Sequence, residues 1–120
     1  MTILITDDSL FIRKTLSAMI QQLGFETVEA VNGKDCLDAI EDNKKIECVI
    51  LDLMMPEIDG FEVLKALQGK NGVPPVIVLS ADIQDTIKDE CLSLGAAAFL
   101  NKPPKSTIIS KILEKVLGVE

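Results

Sequence analysis

The stretch Cys48-Val49-Ile50-Leu51-Asp52 is an unrelieved apolar run that stops on a carboxylate. A strand buried on both faces reads this way, whereas a strand with one wet face alternates. Ile3-Leu4-Ile5 and Val76-Ile77-Val78-Leu79 repeat the pattern, and each run is followed by a longer stretch of helical period. Five strand-then-helix units result, with strands predicted over Thr2–Thr6, Glu26–Val31, Cys48–Asp52, Pro75–Ser80 and Ala97–Asn101. Glu26-Thr27-Val28-Glu29 alternates instead, which suits an edge strand. The order implies an α/β three-layer sandwich, a parallel sheet with helices on both faces. Right-handed crossovers leave few topologies, and the flavodoxin-like (βα)5 order 2-1-3-4-5 is the commonest for five strands.

The helical stretches carry apolar stripes. Ile12, Leu16, Met19, Ile20 and Leu23 form the first, ended by Gly24 as a good C′ residue. Cys36, Leu37 and Ile40 form the second, after Asn32-Gly33. The third helix opens near Asp59 and turns Val63, Leu64 and Leu67 inward. Ile83, Ile87, Cys91 and Leu94 make the fourth stripe, and Ile108, Ile109, Ile112, Leu113 and Val116 the fifth. On the first helix Leu10 lies roughly 160° from Ile12, at about 100° per residue. That position, among Arg13, Lys14 and Ser17, predicts an exposed side chain.

At 120 residues with 48% apolar content, the chain fits one domain over residues 1–120 with one well-filled core. The net charge of −7 argues against binding nucleic acid or anionic lipid by sequence-independent attraction. No apolar run approaches the roughly eighteen residues of a membrane span, and no leader pattern opens the chain, so a cytoplasmic location is expected. Cys36, Cys48 and Cys91 form no C-x-x-C pair, and there is no His, which removes zinc sites and His-dependent catalysis together. Three reduced, mostly buried thiols are expected.

All strand C-termini of such a sheet lie along one edge, where ligands bind. That edge reads Asp7-Asp8, Asp52, Ser80 and Lys102. Taken singly, each has an ordinary explanation: Asp7-Asp8 and Ser80 as helix caps, Asp52 as a strand end, Lys102 as a solvated loop charge. Their coincidence at the ends of four strands points to a site. Three converging carboxylates need a cation, and a hard ion such as Mg²⁺ (or Mn²⁺) suits oxygen ligands. Ser80 and Lys102 supply a hydroxyl and a positive charge for phosphoryl oxygens, and Asp52 is the candidate nucleophile of a phosphoryl transfer.

Ile5-Thr6-Asp7-Asp8-Ser9, Leu51-Asp52-Leu53-Met54-Met55-Pro56-Glu57-Ile58-Asp59-Gly60, Leu79-Ser80-Ala81 and Asn101-Lys102-Pro103 resemble the four signatures of response-regulator receiver domains, the CheY-like family. The resemblance spans essentially the whole chain. It implies a two-component signalling domain that catalyses only its own phosphorylation and dephosphorylation. Asp52 would be the phosphoacceptor; Asp7, Asp8, Asp52 and the Met54 carbonyl the metal ligands; Ser80 and Phe99 the switch pair; Lys102 the phosphoryl-binding lysine. It also implies a cis Lys102-Pro103 bond, a histidine kinase or histidine phosphotransfer protein as donor, and a target protein on the face made by the fourth helix, fifth strand and fifth helix. The donor docks at the top of the first helix in related receivers, so Leu10 is expected as an anchor, with Arg13, Pro103 and Pro104 around it. Met54 leaves the second position after the acceptor without a polar side chain. Pro104 stands where an apolar or aromatic residue is frequent, Lys105 where a helix cap is frequent, so Ser106 is expected to cap the fifth helix. Phe99 lacks the hydroxyl of a Tyr.

A flavodoxin-type carrier shares the fold, but Asp7-Asp8 would repel a flavin phosphate, and no Trp or Tyr is present to stack on the ring. A haloacid-dehalogenase-type phosphatase needs Asp-x-Asp on the first strand, and Asp7-Asp8 lacks the spacer. A degenerate receiver would lack part of the acidic, hydroxyl and lysine set. Only eighteen residues follow Lys102, so output is expected through protein contact, as a stand-alone chemotaxis-type regulator. The alternative is a receiver taken from a larger regulator, or a phosphorelay or phosphate-sink receiver.

Overall fold

The computed structural model describes residues 1–82 and 84–118. Strands and helices alternate as β1 (Thr2–Thr6), α1 (Leu10–Gln22), β2 (Glu26–Ala30), α2 (Gly33–Asp42), β3 (Ile46–Asp52), α3 (Gly60–Leu67), β4 (Val76–Ser80), α4 (Asp85–Ser93), β5 (Ala98–Asn101) and α5 (Ser106–Leu117). The strands form one parallel sheet in the order β2-β1-β3-β4-β5, with the alternating strand β2 at its edge.

The apolar runs are unrelieved because successive residues enter different cores. Leu4, Val49, Leu51, Val76 and Val78 face α2, α3 and α4, whose Cys36, Ile40, Val63, Leu64, Leu67 and Cys91 complete one core. Ile3, Ile5, Cys48, Ile50, Ile77 and Leu79 face Leu16 and Ile20 of α1 and Ile109 and Leu113 of α5. Each fully buried aliphatic side chain in these layers contributes about 1.5–3 kcal/mol.

Caps fix where the helices begin. Ser9 accepts from the Ile12 amide at 3.3 Å and caps α1, and Asn32 accepts from Asp35 at 2.8 Å and caps α2. Asp59 and Glu62 make a reciprocal capping box that starts α3. Gly24, with φ of 96°, stops α1 as expected. Ser106 does not cap α5: it is the first helical residue, and Lys105 occupies the cap position without a side-chain hydrogen bond.

Strand ends differ slightly from expectation. β3 begins two residues early, at Ile46, and exposed Glu47 is bypassed as the pairing with β1 shifts between Thr2 and Ile3. β2 ends at Ala30 and leaves Val31 exposed. Pro75 lacks an N–H, and it precedes β4 while its carbonyl accepts from Val49 at 3.0 Å.

Two apolar stripes are narrower than the sequence suggests. Leu23 is exposed as the C-cap of α1, and Ile108 is exposed because it lies about 100° around the helix from Ile109. Ile83 falls outside the described residues; Ile87 and Leu94 pack beside Cys91 as expected. The polar side of α1 is also covered. Arg13 and Ser17 are buried, because edge strand β2 offers them Glu29 and Thr27 as partners.

Candidate functional site

The sheet order reverses between β1 and β3, and the crevice at a reversal is where such folds hold ligands. Asp7 follows β1 and Asp52 ends β3, so both flank it. The chain before each is a strand with both faces packed, so the backbone that carries each carboxylate is held by the two cores. Asp7 is 1% exposed and Asp52 2% exposed, while Asp8 is open to solvent. Carboxylate oxygens of the three lie within 4.8 Å of one another.

β5 delivers the counter-charge. The Lys102 amide donates to the Ser80 carbonyl at 2.8 Å, and the Lys102-Pro103 bond is cis, as the sequence resemblance implies. The lysine Nζ reaches 3.1 Å from Asp7 Oδ2 and 3.1 Å from Asp52 Oδ1. Burial raises the Asp52 pKa above the ordinary carboxylate value, the Asp7 charge raises it further, and Lys102 offsets part of the rise. Burial works against the Lys102 ammonium, but hydrogen bonds and attraction from Asp7 and Asp52 prevail and hold its pKa above the usual lysine value.

Asp7 Oδ1 accepts from the Ser9 amide at 2.9 Å. Its Oδ2 is buried and has no hydrogen-bond partner of good geometry among the described residues, although Lys102 stands near. An oxygen-only donor set of three carboxylates fits a hard divalent ion that keeps part of its water shell. Ser80 is buried beside it, and its Oγ accepts from the Asp82 amide at 3.0 Å. The Met54 amide donates weakly to Asp52 Oδ1 at 3.4 Å, and the Met54 side chain points to solvent, 73% exposed.

Gly60 lies against the end of β3. A Cβ there would lie 2.7 Å from the Asp52 carbonyl oxygen and 2.7 Å from Leu53 Cα, so only Gly lets α3 approach the end of β3 this closely. Phe99 is half-buried on β5, opposite Val78, and packs against the α2–α4 core. The three thiols are buried, and burial pushes them up to about 11 for Cys36, 12 for Cys48 and 11 for Cys91. They are protonated at neutral pH and take no part in the chemistry.

The rim differs from the sequence expectation in two places. Leu10 is 60% exposed, as the helical wheel predicts, and Pro103 is exposed beside the crevice. Arg13 is turned inward, and its Nη1 donates to the Asp7 carbonyl at 2.8 Å, so it does not edge a docking patch. Pro104 is buried as well. Residues 102–105 must join β5 to α5 over the sheet edge, so Pro103 turns out and Pro104 turns in. Phe11, 76% exposed next to Leu10, was not singled out from sequence. Its place about 100° from Ile12, outside the apolar stripe, was the available signal.

Comparison with known proteins finds relatives over nearly the whole chain. The family model described as response regulator receiver domain matches residues 3–114. Chemotaxis protein CheY of Listeria monocytogenes is similar, 35% identical over 94% of this chain and 95% of its own length. Response regulator RR06 of Streptococcus pneumoniae is 34% identical over 98% of this chain, which spans about half, 53%, of that protein. The solved structure of chemotaxis protein CheY4 of Vibrio cholerae superposes with a TM-score of 0.88 at 29% identity, covering 96% of this chain and 97% of that one. No helix among the described residues is long and apolar enough to cross a membrane.

Proposed function

The chain belongs to the response regulator receiver domains of two-component signalling, and from that premise we propose that Asp52 accepts a phosphoryl group from a phospho-histidine donor. The observation that carries the proposal is the placement of Lys102 Nζ at 3.1 Å from both buried carboxylates, within a cluster of three. The donor is a histidine kinase or a histidine phosphotransfer protein. Asp52 Oδ attacks phosphorus, the P–N bond breaks, and the imidazole leaves with the electron pair. Lys102 holds positive charge where the transferring oxygens gather, and Ser80 exchanges its contact with the Asp82 amide for a bond to one of them.

Asp7, Asp8 and Asp52, with the Met54 carbonyl, would hold Mg²⁺ or Mn²⁺. When bound, the ion supplies charge neutralisation for the carboxylates and the phosphoryl oxygens. Burial of Asp7 and Asp52 keeps bulk water from competing for them. Phosphorylation adds charge and acceptor oxygens, and Ser80 and Phe99 carry that change to the α4-β5-α5 face, where a target protein docks. Leu10, Phe11 and Pro103 form the apolar rim that the donor contacts.

The test is labelling by acetyl phosphate. Asp52→Asn abolishes it, and EDTA abolishes it in the wild type. Undiminished labelling of the Asn variant would sink the assignment of the acceptor.

A further inference from the structure

Asp8 is the least restrained of the three carboxylates. It is exposed, and no hydrogen bond reaches its side chain among the described residues. Asp7, one residue before it, is fixed at both ends: its amide donates to the Ala30 carbonyl at 3.3 Å, and its Oδ1 takes the Ser9 amide at 2.9 Å. Between them lies one peptide unit, whose rotation sets the direction of the Asp8 side chain relative to that of Asp7. Its oxygen is the atom that Arg13 Nη1 holds at 2.8 Å.

Arg13 is itself held. Its Nε donates to Glu29 Oε1 at 3.2 Å, and Lys14 grips the other oxygen of Glu29 at 2.8 Å. One and two turns further along α1, Ser17 and Gln21 contact Thr27 at 2.6 and 2.8 Å. The polar side of α1 is thereby pinned along the edge strand, and Arg13 has one place to be. Glu29 has a second effect: its carboxylate offsets the guanidinium charge, which would otherwise repel a dication bound nearby.

We propose that Arg13, backed by Glu29, is a positioning residue for the divalent-ion site, acting through the Asp7–Asp8 peptide. The inference rests on the reading of Asp7, Asp8 and Asp52 as ion ligands. Mg²⁺ demands near-ideal octahedral geometry, so an acidic pair whose relative orientation is free pays for ordering when the ion binds. Groups that orient metal ligands without touching the metal typically change affinity by about 10- to 100-fold when lost.

The experiment is direct titration of the protein with Mn²⁺, read by the loss of the free-ion electron paramagnetic resonance signal, with Mg²⁺ as competitor. Arg13→Met raises the Mn²⁺ dissociation constant about tenfold. Arg13→Lys keeps the charge but cannot span the Asp7 carbonyl and Glu29 together, so it shows a smaller rise and serves if the Met variant fails to fold. Glu29→Gln weakens binding through the uncompensated guanidinium, and more so at low salt. In acetyl phosphate labelling the half-saturating Mg²⁺ rises by the same factor as the Mn²⁺ constant, whereas partial unfolding would lower only the amplitude. Wild-type Mn²⁺ affinity in a folded Arg13 variant overturns the inference and leaves the ion site standing. A wild-type protein that takes up no Mn²⁺ overturns the ion site, and the inference with it.

Discussion

Gly60→Ala perturbs a place where a helix touches the chain beside the acceptor. The added Cβ would meet the Asp52 carbonyl oxygen at 2.7 Å, Leu53 Cα at 2.7 Å and Leu53 Cδ2 at 2.8 Å. Two of those atoms are main chain at the end of a buried strand, so α3 must move instead. Restoring an ordinary carbon contact of about 3.5 Å requires a shift of about 0.8 Å. The same shift stretches the 3.0 Å bond from the Gly60 amide to the Leu53 carbonyl beyond useful length. Overpacking against a stiff wall costs up to about 3 kcal/mol and the lost hydrogen bond about 1, while the better helix propensity of Ala returns at most about 1. The net is about 3 kcal/mol, or a fall in Tm of about 12 °C at roughly 4 °C per kcal/mol. Labelling by acetyl phosphate falls further than stability requires: once the bond from α3 to the Leu53 carbonyl is lost, the residue that follows Asp52 is no longer tethered, and a misplacement of up to about 1 Å at the acceptor costs about 10²-fold. Gly69→Ala is the control: its φ is 75° with nothing within 4 Å of the new Cβ, so it costs only about 1–2 kcal/mol of left-handed strain and leaves labelling intact. Urea unfolding and labelling of both variants decide the matter. If Gly60→Ala is no less stable than Gly69→Ala and labels normally, the close approach does not hold the acceptor in place.

Three further outcomes follow from the geometry. Leu10→Ala and Phe11→Ala slow phosphotransfer from the cognate protein donor several-fold, with acetyl phosphate labelling and Tm near wild type; an equal loss with both donors would assign the effect to damage of the site. Beryllofluoride, a phosphoryl mimic, shifts the NMR resonances around Phe99 in the wild type and much less in Ser80→Ala; unmoved resonances in the wild type would reduce Phe99 to a packing residue. Burial and the neighbouring Asp7 raise the folded pKa of Asp52, so the stability of its protonated form is present below the ordinary value of 3.8 and is lost as pH rises through the raised value. In metal-free buffer Asp52→Asn therefore gains on the wild type as pH climbs from 4 to 7, and urea unfolding at pH steps that shows a constant difference would refute the electrostatic account.

The sheet was legible in the sequence because burial on both faces leaves a mark that composition cannot imitate. Ile3-Leu4-Ile5, Val49-Ile50-Leu51 and Val76-Ile77-Val78-Leu79 have no polar break, and each occupies a central strand, while alternating Glu26–Glu29 lies at the edge. The chemical corner was legible for a related reason. In a parallel sheet the ends of all strands meet, so Asp7, Asp52, Ser80 and Lys102 were bound to converge once their strands were assigned. The sides of the helices were not legible in the same way. A helical wheel locates the apolar face, but it is silent on what an edge strand offers to the polar face. Arg13 and Ser17 looked solvent-facing until Glu29 and Thr27 were in place to satisfy them. Pro104 is buried on the segment that joins β5 to α5, and Ile108 stayed outside because α5 turns only Ile109 and Leu113 fully into the core. A side chain's own chemistry sets what it needs, but whether a polar one is buried depends on partners brought from elsewhere in the chain, and those only the tertiary structure supplies.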